Sequence, residues 1–255
     1  MEKDSIPNAY YVNGIGICKE FAFAFSKGCG GRIYETANIL HKGDVAMFGD
    51  PATWQLLQKA KQDNRTWFYG DKAYFGRGKY YRITKNAFQS DCVGNSDTSR
   101  LKKTGQKIYP WKIGSKILIC QQSELFYKLH GLNRNDWVNH TKQTIRQYTD
   151  RPIEILSKIS GDGTEFAFRR SLVDVHAVVV YTSVAGVQAA MNGVPCFATE
   201  QCASLAFGSS DLSQIENPVL PDNREYLASV LANNQWTLDE IYNGTAWRML
   251  NESME

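Results

Sequence analysis

A pair of hydroxyl residues, Thr182 and Ser183, stands directly after a run of β-branched residues in the last third of the chain. Ala177 to Tyr181 has the composition of a strand buried on both faces, and the residues that follow favour a helix that Gly193 ends. A helix that starts where a parallel strand ends offers unpaired amides and the positive end of a dipole to a phosphate. An isolated Ser or Thr at such a place is more often only a helix cap.

The stretch around this pair resembles the nucleotide-sugar half of GT-B glycosyltransferases, especially the capsule Kdo-transferase and polysialyltransferase type. In those enzymes a Ser-x-x-Gly helix start holds the donor phosphate and is followed by Gly-x-Pro and a strand. The stretches 183–186 and 193–195 match these two signatures. The resemblance extends over about residues 115–250. It implies an enzyme that needs no bound metal or cofactor and takes a nucleotide-sugar as co-substrate.

Further donor contacts are expected where the neighbouring strands end. Lys116 to Cys120 predicts a strand, and in the resembling enzymes the polar loop after this strand faces the donor. In these enzymes the position of Gln188 often carries an acidic contact to the ribose, and Glu200 follows the strand after the helix. The expected donor-binding residues are Gln121, Gln122, Ser123, Thr182, Ser183, Gly186, Gln188 and Glu200.

Two aspartates follow predicted strands in the first third of the chain and are candidates for the catalytic base. Val45 to Phe48 and Thr66 to Tyr69 have strand composition, and Asp50 and Asp71 stand just past their ends. Sugar transfer to a hydroxyl needs a group that removes its proton. We expect Asp71 in this role and take Asp50 as the second candidate, since a cap on the helix at Pro51 also explains Asp50.

The segment 71–86 interleaves basic and aromatic residues between two glycines. Such a mixture suits the phosphate backbone and a stacked base of a nucleic acid. The expected acceptor-binding residues are Tyr74, Arg77, Lys79, Arg82 and Lys85. A twisted hairpin with packed tyrosines explains the same composition.

The charge is distributed unevenly along the chain. Residues 1–150 hold 23 Lys and Arg against 13 Asp and Glu, whereas residues 151–255 hold 6 against 13. The first half therefore favours an anionic partner, although lysines facing only solvent would give the same count. In organisation and charge the chain also resembles phage DNA-modifying glycosyltransferases. We therefore expect transfer of a sugar to a hydroxymethylated pyrimidine in DNA.

Two other functions remain open at this point. The resemblance to Kdo transferases favours a capsular or lipopolysaccharide glycan as acceptor. A non-catalytic protein with a GT-B-like fold that binds a nucleotide or nucleic acid is the second alternative. No cluster of His, Asp and Glu has metal-ligand spacing, so no metal site is predicted.

The predicted fold class is α/β, with two Rossmann-like domains facing a cleft in a compact GT-B arrangement. The expected boundaries are 1–112 for the acceptor-side domain and 113–255 for the nucleotide-sugar domain. The polar segment 90–107 is predicted to be a loop. No apolar run is long enough to span a membrane, and the N-terminus does not have the pattern of a signal peptide. We interpret the six cysteines as unpaired thiols. We expect a cytoplasmic location, in the host if the protein is phage-encoded.

Overall fold

The computed structural model describes residues 6–12, 16–158 and 164–252. The chain forms two compact α/β units: unit 1 is Met1–Ser90 with Val230–Glu255, and unit 2 is Asp91–Ser229. The predicted fold class is confirmed in its two α/β domains. The division differs from the predicted boundary at 112/113, because the last part of the chain returns to pack on unit 1.

The described residues of unit 1 form a six-stranded sheet whose strands have the order β11-β5-β4-β3-β1-β2. The first four strands in sequence run parallel, β5 runs antiparallel to β4, and β11 runs antiparallel to β5. The strands, numbered along the whole chain, are β1 (Asn8–Tyr11), β2 (Ile33–Glu35), β3 (Val45–Phe48), β4 (Trp67–Lys72), β5 (Tyr81–Lys85) and β11 (Gln235–Trp236).

Aromatic side chains fill the core between this sheet and its helices. The helices are α1 (Gly16–Cys29), α2 (Trp54–Gln62), α9 (Leu238–Tyr242) and α10 (Thr245–Glu252). Phe21 of α1 lies so close to β4 that a Cβ on Gly70 would be 2.4 Å from its ring. This close approach requires glycine at the position before Asp71.

The C-terminal segment completes the core of unit 1. Thr237 and Glu240 form the capping box that their spacing predicts, and this box starts α9. The ring of Trp247 lies 5.3 Å from that of Phe68 and 6.0 Å from that of Phe25, measured between centroids. Trp247 therefore packs α10 onto the core of unit 1.

Unit 2 contains a five-stranded parallel sheet with the order β10-β9-β8-β6-β7. Its strands are β6 (Lys116–Cys120), β7 (Ile153–Leu156), β8 (Val175–Val180), β9 (Cys196–Ala198) and β10 (Gly208–Ser209). Its helices are α3 (Thr98–Thr104), α4 (Glu124–Leu129), α5 (Arg134–Ile145), α6 (Thr164–Ser171), α7 (Ala185–Met191) and the start of α8 (Arg224–Asn233). Strand β8 is buried along its whole length, as its β-branched composition predicts.

The prediction of a loop throughout 90–107 is wrong at α3. Asp97 caps this helix by accepting a hydrogen bond from the N–H of Ser99 at 2.7 Å, and Gly105 ends it in a left-handed conformation with φ of 72°. The buried side chain of Leu101 anchors the helix to unit 2. Asp97 and Gly105 are residue types that favour the start and the end of a helix. The high polarity of the segment favoured the prediction of a loop instead.

The structure describes all six cysteines, and each of them is buried and outside any disulfide. Among the described residues there is no helix with the length and apolar character needed to cross a membrane.

Candidate functional site

The expected donor contacts meet at the carboxyl edge of the unit 2 sheet, where its parallel strands end. Gln121, Gln122 and Ser123 directly follow β6, Thr182 follows β8, and Glu200 follows β9. Because β9, β8 and β6 are neighbours in the sheet, these residues belong to adjacent strand ends although they are far apart in sequence. Ligands of open α/β sheets bind at such an edge.

Two hydrogen bonds join Gln122 to Thr182. The backbone N–H and the hydroxyl of Thr182 both donate to Oε1 of Gln122, at 3.1 and 3.2 Å. Thr182 is buried, and its hydroxyl holds the loop after β6, so its contact with the donor phosphate remains a prediction. The half-buried Gln122 keeps its amide nitrogen as a donor that a ligand can use.

The start of α7 differs from the prediction, since the helix begins at Ala185 and not at Ser183. The Ser183 hydroxyl accepts a hydrogen bond from the N–H of Ala185 at 3.2 Å and thus satisfies an amide that was assigned to the donor phosphate. The Ser183 carbonyl accepts a hydrogen bond from the hydroxyl of Ser204 at 2.8 Å. Ser183 is half-buried, and its contact with a phosphate remains a prediction.

Gly186 is a packing residue in this structure and not an exposed donor contact. It is buried, and a Cβ at this position would lie 2.6 Å from both Cβ and Oγ of Ser204. Gln188 lies two residues further along α7 and is half-buried. Glu200 is exposed, and its Oε1 accepts a hydrogen bond from the N–H of Gln201 at 2.9 Å.

A cluster of aromatic rings lies behind the ends of β6 and β8, and the sequence did not predict it. The ring of Tyr181 stacks on Tyr127 at 5.5 Å and contacts His130 and Trp137 edge-on at 5.4 and 6.0 Å. Burial, followed by the charge of Glu200, raises the pKa of Tyr181. Residue patterns along the sequence do not show that α4, α5 and the end of β8 bring these rings together.

The two candidate bases of unit 1 flank one buried thiol. Asp50 is buried and accepts a hydrogen bond from the N–H of Ala52 at 2.7 Å, so its predicted alternative role as a cap is confirmed. The thiol of Cys18 in α1 donates to Oδ2 of Asp50 at 3.5 Å. Burial, and then the charges of Asp50 and Asp71, raise the pKa of the Cys18 thiol to about 12. Both carboxylates therefore lie near the first turn of α1, at the carboxyl edge of the unit 1 sheet.

Asp71 forms an ion pair with Arg82, its cross-strand neighbour on β5. Nη2 of Arg82 lies 2.5 Å from Oδ2 of Asp71, and the N–H of Lys72 donates to Oδ1 at 2.7 Å. The Arg82 side chain is only 6% exposed. The prediction that Arg82 binds acceptor phosphates is thus corrected, because its charge is buried against Asp71.

The other expected acceptor residues do not form one surface. Tyr74 is 1% exposed, and its hydroxyl accepts a hydrogen bond from the N–H of Ser90 at 2.8 Å, so stacking on an acceptor base is corrected to a packing role. Lys85 pairs with Phe68 at the beginning of β4, about 10 Å along the strand from Asp71, and so lies towards the opposite edge of the sheet. Arg77 and Lys79 are exposed in the loop between β4 and β5.

The charge asymmetry between the two halves of the sequence does not persist in the folded units. Unit 1 contains 14 Lys and Arg against 12 Asp and Glu, and unit 2 contains 15 against 14. The net charges are therefore +2 and +1. The first half is basic mainly because the linear division separates basic and acidic residues that fold into the same unit. In the described ranges no three His, Cys, Asp or Glu side chains are grouped as a metal site.

Two solved structures that are similar to this chain are Kdo transferases. The β-Kdo 2,4-transferase of KpsC from Thermosulfurimonas dismutans superposes with a TM-score of 0.52 at 10% identity, over 89% of this chain and 90% of that one. The fold is GT-B-like. The β-Kdo 2,7-transferase of KpsC from the same organism gives a TM-score of 0.50 at 9% identity, over 95% of this chain and 99% of that one. No protein-family model and no curated protein matches the sequence.

The similarity in fold confirms the resemblance to capsule Kdo transferases that the stretch around Thr182 and Ser183 indicates. It extends through both units of the GT-B-like chain, whereas the sequence resemblance covers only about residues 115–250. Neither of these two structures is a DNA-modifying enzyme.

Proposed function

We propose that this protein is a glycosyltransferase that moves a sugar, of the Kdo type, from a nucleotide-sugar donor to a hydroxyl of a glycan acceptor. The observation that carries the proposal is the similarity in fold to two KpsC Kdo transferases over about nine-tenths of the chain. Fold similarity alone does not define an activity. The proposal therefore also relies on the polar groups at the two carboxyl edges.

In this proposal the donor binds at the carboxyl edge of the unit 2 sheet. Ser183 and the amide of Gln122 contact its phosphate, and Glu200 accepts hydrogen bonds from ribose or sugar hydroxyls. Thr182 supports the site indirectly, because it holds Gln122 through two hydrogen bonds. We propose that no bound metal takes part and that the reaction occurs in the cytoplasm, where unpaired thiols are stable.

Asp71 is the proposed base. It takes the proton of the acceptor hydroxyl while the oxygen forms a bond to the anomeric carbon of the sugar. The bond from that carbon to the donor phosphate breaks, and the nucleotide leaves with the electron pair. Asp50 is less suited to this step, because it is buried, caps the helix after β3 and accepts from Cys18.

A glycan is favoured over DNA as acceptor by the charges at the carboxyl edge of the unit 1 sheet. Glu35 accepts a hydrogen bond from Tyr11 at the ends of β1 and β2, Asp50 follows β3, and Asp71 lies near the end of β4. Carboxylates repel a phosphate backbone but accept hydrogen bonds from sugar hydroxyls. The cation nearest to Asp71 is Arg82, and its charge is already neutralised in the ion pair.

The experiment that tests the proposal is a thermal-shift screen of UDP-, GDP- and CMP-sugars that includes Kdo as a sugar. The stabilising donor is then incubated separately with capsular oligosaccharides and with hydroxymethylated DNA, and the products are analysed by mass spectrometry. We expect a mass increase of one sugar on the oligosaccharide only. An adduct on DNA alone would overturn the choice of acceptor, and stabilisation without any transfer would indicate a non-catalytic binder.

A further inference from the structure

Arg82 has a buried charge whose ion-pair partner is the proposed base. Its side chain is 6% exposed, and Nη2 lies 2.5 Å from Oδ2 of Asp71. A buried cation is costly unless an anion compensates it, and the Asp71 carboxylate is the anion that faces Arg82. The Nε of Arg82 has no hydrogen-bond partner among the described residues, and the pair with Asp71 therefore carries much of the compensation.

The surroundings of the guanidinium leave it little freedom to move. Nη1 donates to the carbonyl of Lys72 at 2.7 Å, and the guanidinium carbon lies 5.1 Å from the centre of the Tyr74 ring. Tyr74 is itself held by the hydrogen bond from the N–H of Ser90 to its hydroxyl. A planar guanidinium with donors fixed in two directions can orient a carboxylate, whereas a single ammonium provides a point charge.

Strand β11, which the C-terminal segment contributes, pairs with the edge of β5 that faces away from β4 and holds the loop after Asp71. Gln235 of β11 is the cross-strand partner of Arg82 and is completely buried. Its Oε1 accepts hydrogen bonds from the N–H groups of Tyr74 and Phe75 at 3.0 and 3.2 Å, and its Nε2 donates to the carbonyl of Phe75 at 2.8 Å. The loop after Asp71 therefore cannot shift without breaking buried hydrogen bonds.

Asp71 itself stays accessible at the end of this network. Its side chain is 29% exposed, and each carboxylate oxygen has one described partner, the N–H of Lys72 on Oδ1 and Arg82 on Oδ2. A carboxylate offers about four lone-pair positions, so it can still accept a proton or a hydrogen bond from a ligand. The carboxylate is thus held in one orientation and remains able to react.

We infer that Arg82 is a positioning residue for Asp71: held by Tyr74 and Gln235, it fixes the Asp71 carboxylate in the orientation that proton removal from the acceptor requires. This inference rests on the proposed function. It assigns to Arg82 an effect on turnover without contact with either substrate. Misplacement of a catalytic group by about 1 Å can lower the rate by about 100-fold.

The test compares Arg82→Met and Arg82→Lys with the wild-type protein in steady-state transfer assays, using the donor and oligosaccharide found in the screen. Lys59→Met is the matched control, because it also removes an ion pair in unit 1, between Lys59 and Asp63 at 3.6 Å, but one whose two side chains are exposed. Thermal unfolding of each variant gives the folded fraction. We expect Arg82→Met to lower kcat by about 100-fold, with the donor KM changed less than about 3-fold. Arg82→Lys should recover part of kcat. Lys59→Met should have the kcat and donor KM of the wild type.

The outcomes separate this inference from the proposed function. Absence of transfer by the wild-type protein would refute the function. An active wild type together with a folded Arg82→Met variant of unchanged kcat would refute the role of Arg82 alone, as would a loss that appears only as a raised donor KM. If Arg82→Met does not fold, Arg82→Lys decides: a drop in kcat at constant donor KM supports the inference, and an unchanged kcat overturns it.

Discussion

Gln122 and Thr182, which are 60 residues apart, share one oxygen atom: Oε1 of Gln122 accepts from both the N–H and the hydroxyl of Thr182. The bond ties the loop after β6 to the end of β8. We expect Gln122→Ala to remove both hydrogen bonds and to reduce the free energy of unfolding by about 1–3 kcal/mol. It should also raise the donor KM. Urea unfolding and donor titration check both effects, with the exposed Gln143→Ala as control. Unchanged donor affinity would remove Gln122 from the site.

Ser183 can be tested as a ligand contact separately from its hydrogen bond to Ala185. Ser183→Ala removes that bond and should cost about 1 kcal/mol of stability. In a transferase it should also abolish stabilisation by the nucleotide-sugar, whereas Asp71→Asn should abolish turnover but keep donor binding. Thermal shifts with and without donor measure this. Full donor stabilisation of Ser183→Ala would assign the hydroxyl to capping alone.

The ion pair between Asp71 and Arg82 predicts unequal effects of its two single substitutions. Asp71→Asn leaves the buried Arg82 unpaired and should destabilise unit 1 by about 3–5 kcal/mol. Arg82→Met leaves the partly exposed Asp71 carboxylate unpaired and should destabilise unit 1 less than Asp71→Asn does. In a double-mutant cycle the combined variant should be more stable than Asp71→Asn alone. Additive effects in urea unfolding would contradict a coupled pair.

Gly186 predicts a steric effect that does not depend on donor binding. Gly186→Ala places a Cβ 2.6 Å from Ser204 and should destabilise unit 2 by about 1–3 kcal/mol. Ser204→Gly removes the opposing side chain and should restore part of the loss in the double variant. Donor affinity per folded molecule should stay at the wild-type value. A loss of affinity in a fully folded Gly186→Ala protein would restore its predicted donor contact.

The buried cysteines predict low reactivity towards thiol reagents. Burial raises the pKa of Cys120 to about 12, and burial with nearby negative charges does the same for Cys18 and Cys92. A raised pKa keeps the thiol protonated and lowers the thiolate fraction at every pH below it, so the reactive form stays scarce at pH 8. We expect almost no reaction of the native protein with a thiol-specific dye and reaction of all six cysteines in denaturant. A fast-reacting native thiol would show an opening near one of them.

The sequence was most informative where a single segment determines the outcome. Lys116–Cys120 and Val45–Phe48 are predicted strands with the observed bounds, and the capping box at Thr237 is present. Composition and local spacing determine such features. The predicted strand ends also place Asp50, Asp71 and the residues after β6 and β8 at carboxyl edges, because parallel strands end together.

Features that depend on pairing between distant segments could not be predicted in this way. Nothing near Arg82 in the sequence shows that it lies opposite Asp71 and is covered by Tyr74. These contacts bury both Arg82 and Tyr74, which were expected on the acceptor surface. Gln235 pairs with a strand of the first sheet, so unit 1 contains both ends of the chain and one boundary along the sequence cannot divide the units. The charge argument failed for the same reason, since folding combines residues that the linear division separated.

The place of β11 at the edge of the first sheet has a consequence for folding during synthesis. Gln235 follows Tyr74 by 161 residues, so at about 5–20 residues per second the ribosome delivers it roughly 8–30 s after the loop that it holds. The strands of the unit 2 sheet are all synthesised within that interval, while the sheet of unit 1 still lacks β11. The segment around Asp71 and Arg82 is therefore among the last parts of the nascent chain to acquire its native hydrogen bonds.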